Sequence, residues 1–261
     1  MKFYRINALL LKTYYISKNS LDRIFDIFYW PIIDLFLYSF ATLYIMSLSE
    51  INLLSVFLGG IFLWSFIWRS SQDIAVFILE DFWSRSLYYL FASPVTITEI
   101  MISTMLIGMI RSIISFLTMA TLGMLIFSFN IFSIDILALV LFISIIMLFG
   151  WFIGIFVTAM MFRFGLRIQV LAWSLAFLIM PFSCVFYALS ALPNWAQNIA
   201  VLLPTTHVFE SLRSVLNNGP ILWGGIAYSI SITVLLLIIS SVFLGVSLKR
   251  AKKTGLLTRY S

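Results

Sequence analysis

Six apolar stretches dominate the chain, near 27–47, 53–74, 98–128, 135–161, 168–189 and 221–247. Each has at least the roughly 20 residues a helix needs to cross about 30 Å of hydrocarbon at 1.5 Å per residue. Inside a bilayer the backbone has to satisfy its own N–H and C=O groups, so runs of this length read as α-helices. Composition agrees: 62% of the 261 residues are hydrophobic, 10% are charged and the mean hydropathy is +1.10. A soluble domain carries about 25% charged residues, so that class is excluded and lipid is the expected solvent. The expectation is an all-α membrane protein with one transmembrane domain over 1–261, made of an N-terminal segment at 1–24 and a six-span core at 25–261.

The stretches are separated by polar punctuation: Ser49-Glu50 with Asn52, the run from Glu80 to Pro94, Asn130 to Asp135, Arg163 to Arg167, and the long segment from Pro193 to Pro220. Basic residues set the orientation. With the N-terminus in the cytoplasm, Lys2, Arg5, Lys12, Lys18, Arg23, Arg85, Arg163, Arg167, Lys249, Arg250, Lys252, Lys253 and Arg259 fall inside and Arg213 alone falls outside. That asymmetry obeys the positive-inside rule, and an even number of spans returns the C-terminus to the cytoplasm. The expected location is therefore the plasma (inner) membrane, multi-pass, with both termini cytoplasmic. The first 24 residues lack the apolar core of a cleavable signal, so the N-terminus is expected in the mature chain. There Phe3, Ile6, Leu10 and Tyr14 recur at helical spacing beside Lys2, Arg5 and Lys12, the pattern of a helix on the inner leaflet. Most tryptophans, Trp30, Trp64, Trp68, Trp151, Trp173, Trp195 and Trp223, fall near span ends, where the headgroup level favours them.

Two connections carry more pattern than a loop needs. From Leu79 to Phe91, apolar Phe82, Trp83, Leu87, Leu90 and Phe91 alternate with Glu80, Asp81, Ser84 and Arg85, as in a short amphipathic helix. Pro94 should end it, and Thr96 with Glu99 offers a capping box for the next span. Such a helix can receive a partner or rest on the membrane, and spacing alone leaves both open. On the outer side, Pro193 and Pro204 suit helix starts and Gly219-Pro220 a stop, giving two short helices that dip toward the bilayer or pack over the span ends. Glu210 and Arg213, three apart, can pair on one face.

Taken in order, these features resemble the type 2 ATP-binding-cassette (ABC-2 type) exporter permeases. The likeness covers nearly the whole chain: the N-terminal helix, the six spans, Glu80…Arg85…Leu90-Phe-Ala-Ser-Pro94 leading to Glu99, and Leu192-Pro-x-Trp195…Leu203-Pro204…Phe209-Glu-x-x-Arg213 before the last span. The resemblance implies that Glu80, Phe82, Trp83, Arg85, Leu87 and Tyr88 couple the permease to its ATPase. It implies that the outer helices are re-entrant, with Trp195, Glu210 and Arg213 as gate candidates. It also implies two ABC ATPase subunits and a second permease copy, identical or paralogous, with membrane lipid around them and no nucleic acid. No Gly precedes a Lys anywhere, so the chain has no phosphate loop and is not expected to hydrolyse ATP. ATP and Mg belong to the partner subunit, and the chain itself is expected to need no cofactor or metal. The expected cargo is lipid-linked, polysaccharide or amphiphilic, moved along the first and fifth spans. Phe28, Tyr29, Phe36 and Tyr38 on one and Trp173, Phe177 and Tyr187 on the other are the path candidates, although aromatic stripes also serve packing.

Ionisable groups in hydrocarbon are functional candidates by default. Asp34 lies about 11 Å into the first span and Arg111 about 18 Å into the third at 1.5 Å per residue, so either the two pair, or Arg111 snorkels or its helix starts deeper in the cytoplasm. Arg69 and Asp73, one turn apart, read as a solvated pair near the cytoplasmic end of the second span. A proton-coupled secondary transporter using Asp34 is the rival reading, although the two halves show no matching pair of broken spans. An intramembrane enzyme would have to be built on the single histidine, His207, and the single cysteine, Cys184, without a hydrolase or metalloprotease motif.

Overall fold

The computed structural model describes residues 2–48 and 54–255. The predicted break at Ser49-Glu50 with Asn52, and Arg259 among the cytoplasmic cations, lie outside the described residues. All regular structure among the described residues is helical: α1 (Phe3–Lys18), α2 (Leu21–Leu48), α3 (Leu54–Trp83), α4 (Leu87–Ala92), α5 (Ile97–Phe127), α6 (Ile136–Phe164), α7 (Leu171–Ile179), α8 (Asn194–Ala200), α9 (Pro204–Leu216) and α10 (Trp223–Thr254), with short 3-10 turns between some of them. Helices α2, α3, α5, α6 and α10 are long and apolar enough to cross a membrane, which makes this a multi-pass membrane protein.

Helix α3 is the axis of the bundle. Two-thirds of its most apolar window (67%) is buried, against 17% for α2 and 22% for α10, which therefore carry the outward-facing apolar surface. On one side α3 packs against α5, on another against α6, and α6 in turn packs along α10. The α3–α6 seam is close because Gly150 and Gly154 face α3 without side chains. A Cβ at Gly154 would stand 2.8 Å from the Ser71 carbonyl oxygen, and one at Gly150 would stand 3.0 Å from that of Ile67. Small residues four apart let helix backbones approach where lipid supplies no hydrophobic drive.

The fifth predicted span departs from a simple helix. Of 168–189 only α7, extended by a 3-10 turn over Met180–Phe182, is helical, too short to cross as a helix. Pro181 is the cause: it has no N–H, and its ring clashes with the preceding turn. Beyond it Cys184 takes a left-handed conformation (φ 54°). The segment nevertheless follows α3 for much of its length. Gln169 and Trp173 meet Trp83, Ala172 accepts from Gln72, Phe177 lies on Trp68 and the Val185 carbonyl abuts Gly60. From Gly60 to Trp83 a helix rises about 35 Å at 1.5 Å per residue, whereas a helix from Gln169 to Val185 would rise only about 24 Å. The unwound part makes up the difference.

Helix α1 forms where predicted, and Arg5 and Lys12 of its basic edge reach acidic side chains of the bundle. Ile6, Leu9 and Thr13 are buried against the bundle, and Phe3, Tyr4, Leu11, Tyr14 and Tyr15 are exposed. The Lys2 backbone N–H donates to Glu99 at 2.9 Å, Arg5 stands 3.6 Å from the same carboxylate, and Lys12 reaches Asp81 at 3.3 Å.

Candidate functional site

At the C-terminal end of α3, the expected helix over 79–91 is two pieces. Helix α3 runs on to Trp83 and stops in a Schellman turn: Arg85 is left-handed (φ 58°), its N–H bonds to the Phe82 carbonyl at 3.2 Å and that of Ser86 to the Asp81 carbonyl at 3.0 Å. Glycine is the usual residue at that position. Ser84 and Ser86 favour the stop because their hydroxyls compete for local partners, Ser84 donating to the Glu80 carbonyl and Ser86 to the Asp81 carboxylate. Helix α4 follows and ends before Pro94, and Thr96 and Glu99 form the predicted capping box of α5.

The coupling candidates divide. Leu87 is buried, Phe82 packs on Phe162, and Glu80 is ion-paired with Arg23 of α2. Trp83 stacks on Trp173 with centroids 5.9 Å apart and donates to Gln169 at 3.0 Å, yet half its surface stays exposed. Tyr88, and beside it Tyr89, face outward. The turn around Arg85 therefore presents an aromatic rim on a base fixed from four sides by α1, α2, α6 and α7.

The intramembrane charges do not pair as expected. Arg111 donates to Asp73 at 2.7 Å and to the Ser17 hydroxyl at 2.8 Å, so its partners come from α3 and α1. Arg69 is buried rather than solvated, and it holds the Asp26 carboxylate and main-chain oxygen of α2 rather than Asp73. Asp34 is left with no hydrogen bond or ion pair among the described residues. It lines a pocket of about 170 Å³ with Trp30, Pro31, Tyr38, Ile61, Trp64, Ser65, Trp68, Arg69, Ser115, Phe177 and Met180. Pro31 shapes this place. Lacking an N–H, it leaves the Ile27 carbonyl without its helical donor, and the Ser115 hydroxyl of α5 supplies one at 2.8 Å.

Of the path candidates, Tyr38 and Phe177 line this pocket within one chain. Tyr38 also stacks on Phe186 at 4.6 Å and Phe177 on Trp68 at 4.2 Å. Phe28 and Tyr29 lie exposed on α2, Phe36 packs with Phe40 and Phe127, Trp173 is committed to Trp83, and the Tyr187 hydroxyl bonds to the Pro181 carbonyl.

On the opposite side, Glu210 and Arg213 do pair, at 2.8 Å, and together they hold the unwound segment. The Arg213 guanidinium donates to the carbonyls of Cys184 and Tyr187, both at 2.8 Å, while Glu210 accepts the Leu189 N–H at 2.7 Å. Thr206 donates to the Phe182 carbonyl and Thr205 to the Ser183 hydroxyl. Irregular backbone buried in protein requires such partners. Trp195, at the start of α8, is exposed and touches Phe182 edge-on. Pro193 precedes α8 and Pro204 opens α9, as the sequence predicts. Sequence reasoning missed Asp26 and Ser115 as partners and Pro181 as a breaker, although Pro31 and Pro181 are signals that each helix must find a substitute donor or end. No protein-family model and no curated protein matches this chain.

Proposed function

We propose that this chain is the permease subunit of an ATP-driven ABC-2 type exporter. Both termini are cytoplasmic, and 168–189 makes a sixth, partly unwound crossing. Two copies associate with two ABC ATPases and move an amphiphilic or lipid-linked cargo outward from the cytoplasm or inner leaflet. Helix α1 rests its exposed Phe3, Tyr4, Leu11 and Tyr14 on the inner leaflet. The observation that carries this reading is the turn at 84–86: a fixed base with an exposed aromatic rim, at the cytoplasmic end of the most buried helix, suits a docking ATPase that must push on the bundle. The sparsely buried α2 supplies apolar surface for the second copy.

Co-expression with the ABC-type ATPases of the same organism tests it. Tyr88→Ala with Tyr89→Ala should leave membrane insertion intact and reduce ATPase co-purification about tenfold, in line with the loss of aromatic anchors at an interface. Undiminished co-purification and ATPase stimulation in that variant would remove the coupling role from this turn. The unpartnered Asp34 is the one feature that also suits a proton-coupled carrier. Transport that is driven by a pH gradient with no ATPase present would favour that reading.

A further inference from the structure

Among the described residues, Asp34 is a carboxylate without a partner, whereas the other membrane-depth charges pair: Arg111 with Asp73, Arg69 with Asp26. Its surroundings are aromatic. Trp30, Tyr38, Trp64, Trp68 and Phe177 line the same pocket of about 170 Å³. Arg69, the other charge there, is neutralised by Asp26, so the pocket keeps one negative charge. Indole, phenol and phenyl faces attract cations through their quadrupoles, most strongly where water is excluded, and a carboxylate among such faces completes the recognition of an ammonium group. An anionic or purely apolar ligand would leave the carboxylate unpaired.

We infer that the pocket between α2, α3 and α7 binds an organic cation, an ammonium-bearing amphiphile whose headgroup sits against Asp34 and the ring faces around it. The identification of this ligand as cargo rests on the export reading; its binding does not. Three of the walls, Trp30, Tyr38 and Phe177, come from the thinly packed α2 and α7, so an acyl or aryl tail can leave the pocket toward lipid while the headgroup stays.

Benzyltrimethylammonium, a permanent cation, and neopentylbenzene, its uncharged carbon isostere, test the inference on the full-length protein in zwitterionic-lipid nanodiscs. Equilibrium dialysis, with empty nanodiscs as the blank, should show saturable binding of the cation and binding of the isostere weaker by about tenfold or more. Asp34→Asn should weaken the cation by a similar factor and leave the isostere unchanged, and Phe177→Leu should weaken the cation alone. Equal binding of the two probes, no saturable binding of the cation, or full cation affinity in Asp34→Asn each overturns the proposal. The comparison of probes needs no variant, so it stands even where Asp34→Asn fails to fold. Because no ATPase is present, a failure here leaves the coupling test untouched, and a failure of coupling leaves this one untouched.

Discussion

A left-handed arginine and a buried ion pair show how single residues are committed here. At Arg85 an L-residue occupies a turn position that glycine fills at lower cost, by about 1 kcal/mol. Arg85→Gly relieves that backbone cost while removing the guanidinium and the contacts it makes, so the melting temperature is measured beside ATPase stimulation. If ATPase stimulation falls in this variant and melting does not, the charge acts at the docking surface; unchanged stimulation would leave Arg85 a turn residue only. Arg111 and Asp73 behave oppositely. Both are largely buried, so Asp73→Asn strands the guanidinium and should cost about 3–5 kcal/mol, whereas Asp73→Leu with Arg111→Met should cost much less than the sum of the single changes. Thermal unfolding followed by tryptophan fluorescence checks both. That Arg111 sits within a span is legible in the sequence; its partner is not, because Asp73 lies 38 residues away on another helix and Asp34 sits at a comparable computed depth. Depth is a one-dimensional coordinate, and pairing also needs the rotation of each helix about its axis.

At the scale of elements, five long apolar helices and the two short helices α8 and α9 follow from apolar length and proline position, and the structure has helices where the sequence predicts them. The unwound fifth stretch does not follow from hydropathy. A window average cannot see that Pro181 removes one donor, or that α9, about 25 residues later, supplies replacements. Helix α9 is thus both a packing element and a hydrogen-bond template. The Arg213 fork serves two carbonyls and a carboxylate at once, which a point-charge ammonium on a flexible stem cannot copy. Arg213→Lys should destabilise by about 1–3 kcal/mol, the cost of buried acceptors left unsatisfied. Amide hydrogen exchange should quicken at 183–192 in that variant while α6 stays protected. Equal protection of 183–192 in both proteins would show that other donors hold the segment. The same logic at the α3–α6 seam gives Gly154→Ala a cost of about 1–3 kcal/mol, because the Cβ meets main-chain oxygen that has no way to rotate aside.

Across the whole molecule, the two ends of the bundle are held by different chemistry. The end that carries α9 is fixed by neutral and charge-assisted hydrogen bonds from α9 to backbone. The end that carries α1 is held by side-chain ion pairs that run from the α1–α2 hook to α3 and α5: Lys12 to Asp81, Arg23 to Glu80 and Asp26 to Arg69 on α3, and Arg5 to Glu99 on α5. The Lys12 and Arg23 pairs each keep a partly exposed partner and are worth at most about 1 kcal/mol each, whereas Arg69 is buried and needs Asp26, so α1 can shift without unfolding the core while α2 stays tied to α3. Asp81 also holds Ser86 in the turn that presents the aromatic rim, so a force applied there reaches α1 through one carboxylate. If that turn is pushed during export, α1 has to give way in each cycle. A flexible bis-maleimide spanner between cysteines introduced at Lys12 and Asp81, in a Cys184→Ser background, tests this. ATPase co-purification should be equal with and without the spanner in the same double-cysteine protein, because the spanner leaves Tyr88 and Tyr89 untouched, and export should stop. A cleavable version of the spanner should restore export when cut. Export at the normal rate with the spanner intact would mean that α1 and α3 travel together as one body, and that the moving joint lies elsewhere, between α2 and the thinly packed α7 side of the pocket.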